Sequence, residues 1–63
     1  MNDERAQLLS IATSLDELTA RITVTADRLS GAGDDNAAAD LYEVERTLHN
    51  ANRRLARIIS AMR

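Results

Sequence analysis

The sequence predicts an all-α fold, an antiparallel two-helix hairpin of coiled-coil type, on the strength of three observations. Leu8, Ile11, Leu15, Leu18, Ile22, Thr25 and Leu29 recur at alternating steps of three and four. Leu41, Val44, Leu48, Ala51, Leu55, Ile58 and Met62 repeat that rhythm over an equal length. Between the two ladders lie the only glycines, Gly31 and Gly33, and proline is absent from the chain. Two amphipathic helices of matched length, joined by a short loop, hide their apolar stripes by folding back on each other.

Helix 1 is expected over about residues 3–29. Asn2 is a good N-cap, and Asp3 and Glu4 place negative charge at the positive end of the helix dipole. Gly31 suits the left-handed position just past a helix end. Arg21-Ile22-Thr23-Val24-Thr25 is β-branched and alternating, which opposes helix locally. A strand there has no partner segment, so packing is expected to keep it helical. The loop is placed at 30–36, where Asp34, Asp35 and Asn36 are each competent N-caps. Helix 2 is expected over about 37–62, launched by Ala37-Ala38-Ala39. Pairing residues whose numbers sum to 66, such as Leu18 with Leu48, would layer the two ladders along the seam, and two helices alone leave one side of the ladder wet.

At 63 residues and without cysteine, a hairpin can neither bury a large core nor staple itself with disulfides. A second copy is the simplest completion, giving a homodimeric four-helix bundle. The expected dimer or partner interface is the small, apolar flank of Leu9, Ala12, Ala26, Ala38, Tyr42, Ala56, Ile59 and Met62. Leu9, Ile59 and Met62, with Ile58, fall at the open end of the hairpin, where a helix of another protein is expected to dock.

Charge is distributed unevenly. Residues 1–45 hold ten acids and three Arg, whereas residues 46–63 hold five Arg and no acid. Within the second group Arg46, Asn50, Arg53 and Arg57 fall along one outward face of helix 2 and form a possible surface for nucleic acid or an acidic partner. The same asymmetry has a plainer use. Asp3, Glu4, Asp16 and Glu17 come opposite Arg63, Arg57, Arg54 and Arg53 when the chain folds back, favouring the antiparallel hairpin.

The residue set points away from catalysis and from cofactors. His49 is the sole imidazole; with Glu45 it offers two metal ligands where a site needs three or four. Ser10, Ser14 and Ser60 lie far from that base along the hairpin. Gly31-Ala32-Gly33-Asp34-Asp35-Asn36 lacks the lysine of a phosphate loop, and its acids repel anions. No apolar run approaches the roughly 20 residues of a membrane span, so a cytoplasmic protein is expected.

The length and hairpin design are similar to the Rop-type RNA-binding bundles of plasmids. That resemblance is one of architecture without a shared motif, and it carries over neither residues nor function. The expected function is therefore a non-enzymatic protein–protein interaction, adaptor or regulatory module of a bacterium or phage, working as a dimer. The alternative is a nucleic-acid-binding regulator.

Overall fold

A computed structural model describes residues 3–62 and consists of two helices, α1 (Asp3–Gly31) and α2 (Asp35–Ala61), packed side by side. No strand occurs among the described residues. The expected cap at Asn2 lies outside them, as does Arg63. The β-branched stretch of α1 is helical throughout. The hydroxyls of Thr19 and Thr25 donate to the carbonyls of Leu15 and Arg21 at 2.7 and 2.9 Å, and the Thr23 hydroxyl lies 3.1 Å from the Thr19 carbonyl, sharing its one proton with Glu45. These bonds to the preceding turn satisfy the polar groups that would otherwise compete with the helix.

The connection is tighter than the sequence implies: both helices extend into the expected loop, leaving residues 32–34. Gly33, not Gly31, takes the left-handed conformation, with φ +89°. Asp34 N–H donates to the Leu29 carbonyl at 2.9 Å and Gly33 N–H to the Ser30 carbonyl at 3.0 Å. That pair of bonds is the Schellman closure of α1. Asp34 then caps α2, its carboxylate accepting from the Ala37 N–H at 3.3 Å. One residue thus ends one helix and begins the next.

The helices meet on a different face from the one their ladders mark. The most buried side chains are Thr19, Ala26, Ala38 and Ile59, at 0–7% exposure. With half-buried Ala12, Glu45 and Asn52 they form a seven-residue repeat, 12-19-26 on α1 and 38-45-52-59 on α2. Alternate ladder members, including Leu15, Ile22, Leu48 and Leu55, border this seam half-buried. The remaining large ones, Ile11, Leu18, Val44 and Ile58, stay 43–50% exposed. Each helix is therefore turned by about 50°, half the angle of one residue step, relative to a hairpin that encloses its ladder.

Three side-chain links cross the seam along one edge. Asn52 Nδ2 donates to Asp16 Oδ1 at 2.9 Å, the Thr23 hydroxyl to Glu45 Oε2, and the Tyr42 hydroxyl to Asp27 Oδ1. The paired residue numbers add to 68, 68 and 69, so the register is two to three residues off the expected 66. Small residues explain the choice: Ala12, Ala26 and Ala38 let the backbones approach closely, which Leu or Ile at every contact would prevent. The cause of the misplacement is equally physical. Apolar periodicity marks which side chains avoid water, and says nothing of which neighbour covers them.

The two glycines separate by substitution. Gly33→Ala forces a side chain into the left-handed region and should lower unfolding free energy by about 1–2 kcal/mol. Gly31 is helical, and nothing lies within 4 Å of an added Cβ there. Gly31→Ala should therefore raise stability by up to about 1 kcal/mol. Urea titration of both variants reads the two signs.

Candidate interaction surface

The shared seam and the outward ladder give the hairpin two unlike faces. On one, Leu18, Arg21, Ile22 and Thr25 of α1 and Leu41 of α2 line a single shallow depression, so the ladders of both helices open on the same side. On the other lie the cross-helix links of Asp16, Thr23 and Asp27. The apolar face follows from sequence spacing alone once the seam is fixed: residues adjoining a seven-residue repeat on one side are every third or fourth residue along the ladder.

The structure divides the small apolar flank expected to meet a partner. Ala26, Ala38 and Ile59 are consumed inside the hairpin, at 0%, 2% and 7% exposure, and cannot offer surface to a second molecule. Ala12, Tyr42 and Met62 are half-buried; Leu9 and Ala56 are exposed. At the open end, Leu9 and Ile58 are accessible whereas Ile59 is buried in the hairpin. The side of the ladder left open by the hairpin is that of Ile11, Leu18, Val44 and Ile58. Its signal was present, since three apolar positions per seven residues exceed what a two-helix seam consumes.

The Arg face is present as a surface. Asn50, Arg53, Arg54, Ala56 and Arg57 line one shallow depression on α2. Arg53 donates to Asn50 Oδ1 at 2.8 Å, and Arg46 pairs with Glu43 at 3.2 Å on an exposed turn. Neither Arg54 nor Arg57 has a side-chain hydrogen bond or ion pair among the described residues. The expected attraction between helix ends is not realised as ion pairs: among the described residues both salt bridges lie within α2. Asp16 instead accepts from the Asn52 amide.

At the polar edge, Glu45 Oε2 accepts from Thr23 and lies 3.8 Å from His49 Nε2. The Asn52 carbonyl oxygen is buried without a partner. Tyr42 has its phenol pKa raised above the usual value of 10.0. The hydrogen bond to Asp27 is the main cause, followed by desolvation and by the negative charges of Asp27 and Glu45, all of which disfavour phenolate. Among the described residues no three His, Cys, Asp or Glu side chains gather to hold a metal ion, and no helix is long and apolar enough to cross a membrane.

No protein family matches this chain, and no curated protein or solved structure is similar to it.

Tyr42 is the only aromatic side chain, so its titration reads cleanly in ultraviolet absorbance. Because the folded pKa is raised, the Asp27–Tyr42 bond supports the fold below pH 10 and is lost as pH rises through the folded value. Asp27→Ala should return the phenol to its ordinary range. An unchanged titration in that variant would remove Asp27 as the cause.

Proposed function

We propose that the chain is a non-enzymatic interaction module that assembles as a homodimeric four-helix bundle, with the ladder face as the contact between copies. One observation carries this reading: Ile11, Leu18, Val44 and Ile58 lie on one face, each 43–50% exposed. Half of a four-helix bundle has this arrangement, in which every helix serves one seam with its hairpin mate and another with the opposite layer.

Shape and area support it. The hairpin measures 50 × 14 × 10 Å, and its radius of gyration is 14.7 Å against about 11 Å for a compact chain of this length. Its accessible surface is 4843 Å², whereas a compact monomer of 6.9 kDa exposes about 4000 Å². The excess of about 800 Å² matches one partner's share of a standard protein interface.

Charge supports a second copy as the occupant. α1 begins with Asp3 and Glu4 and carries Arg21 and Arg28 in its second half. α2 carries Asp35, Asp40 and Glu43 in its first half and Arg53, Arg54 and Arg57 in its second. Either two-fold arrangement that lays one ladder on another sets each helix antiparallel to the one it faces. Acidic first halves then meet Arg-bearing second halves on both sides of the contact. The assembled bundle acts by binding, and its outer surface meets a further protein.

A second reading rests on Arg54 and Arg57, which share a depression with Arg53 and Asn50 and form no ion pair among the described residues. Arg53 and Arg57 are four residues apart, about 6 Å along the helix, close to the spacing of successive phosphates. With no aromatic residue on this face to stack unpaired bases, the ligand of that reading is duplex nucleic acid.

Two measurements separate these readings. Leu18→Glu removes two half-buried leucines per dimer and inserts two charges. It should weaken self-association about 100-fold or more in sedimentation equilibrium. A variant of unchanged mass would refute the ladder as the dimer contact. For the Arg face, mixed-sequence duplex binding should fall steeply with salt, with the log–log slope reduced by about one for each Arg57→Ala side chain removed. Absence of binding at low salt would eliminate it.

A further inference from the structure

We infer that the two helices have two alternative seams, and that the ladder-out hairpin is the assembly-competent form of a chain that closes over its own ladder when alone. This rests on the self-association proposed above and adds a conformational switch to it. The ladder residues Leu15, Ile22, Leu48 and Leu55 adjoin both seams, and so serve either one. A turn of each helix by about 50° exchanges Thr19, Glu45 and Asn52 at the heart of the contact for Leu18, Val44 and Ile58.

The occupants of the two seams argue for the exchange. The observed seam includes a threonine, a glutamate and an asparagine, and the Asn52 carbonyl oxygen lies in it without a partner. Meanwhile four large apolar side chains of the ladder, Ile11, Leu18, Val44 and Ile58, are left 43–50% exposed. A single hairpin gains apolar burial by turning the ladder inward and returning Glu45 and Asn52 to water. Two hairpins gain more by keeping it outward, since each ladder then meets the other.

Across the helices the ladder-out form is held by the Asp16–Asn52, Thr23–Glu45 and Asp27–Tyr42 bonds, two of them on exposed groups. At the turn, an added Cβ at Gly31 or Gly33 meets no atom within 4 Å. The register change is two to three residues, from pairs adding to 68 or 69 to pairs adding to 66.

Tyr42 reports the switch, because its bond to Asp27 belongs to the ladder-out form. The intact chain is diluted through its dimer–monomer transition, with mass followed by sedimentation, helicity by circular dichroism, and Tyr42 by fluorescence-detected pH titration. The expected result is a helical monomer whose phenol titrates in the ordinary range, beside a dimer in which it is raised. A helical monomer with Tyr42 still raised would leave one seam only and overturn the switch, while the dimer stands. An unfolded monomer overturns it as well. A chain that stays monomeric at every concentration overturns the self-association and the switch together. Glu45→Leu combined with Asn52→Leu makes the outward seam apolar and should tighten the dimer tenfold or more at unchanged helicity. Unchanged or weaker dimerisation would count against the switch.

Discussion

Close approach of two helices at Ala12, Ala26 and Ala38 is the contact on which the rest of this structure depends. Because those side chains are small, the hairpin closes without spending its large apolar residues. Leu, Ile and Val are left on one side, and polar groups are left on the other. A bulky residue at Ala26, which is fully buried, would part the helices and undo both faces together. Architecture and surface chemistry thus have a common origin in side-chain volume.

The polar edge completes that division. Asp16, Thr23 and Asp27 of α1 hold Asn52, Glu45 and Tyr42 of α2, and each link fixes rotation about the helix axis as well as register. Hydrogen bonds of this kind, mostly on exposed groups, add little stability each. Their value is directional: an apolar seam tolerates rotation, whereas a donor facing the wrong way loses its partner. Specificity here comes from the polar minority at the contact, and the stabilising bulk comes from the carbon around it.

Much of the fold was legible in the residues. The two helices and the turn between them follow from ladder spacing and glycine placement, while Asp34, Asp35 and Asn36 all qualify as the cap and the structure selects Asp34. Two local features were not. Ser30 and Gly31 remain helical because Gly33 supplies the single left-handed residue the closure requires, and composition cannot rank two nearby glycines. The seam escaped for a deeper reason. Alanine and threonine carry little hydrophobic signal, so Ala26 and Thr19 look like surface and Leu18 looks like core, when the packing has them reversed. Charged residues on a regular helix face stay outward whichever seam is chosen, so Arg46, Asn50, Arg53 and Arg57 are exposed, although the depression on α2 takes in Arg54 and Ala56 and leaves out Arg46. The ladder's role as surface needed the seam first.

The turn has a kinetic meaning. Asp34 joins the closure of α1 to the start of α2 through contacts no more than five residues apart, so this corner organises before any distant contact exists. From there the cross-helix bonds span 15, 22 and 36 residues, at Asp27–Tyr42, Thr23–Glu45 and Asp16–Asn52. Loop-closure entropy rises with each span, so the lowest-cost route zips from the corner toward the termini. Fraying runs the other way, and the tips of the helices are the first to part.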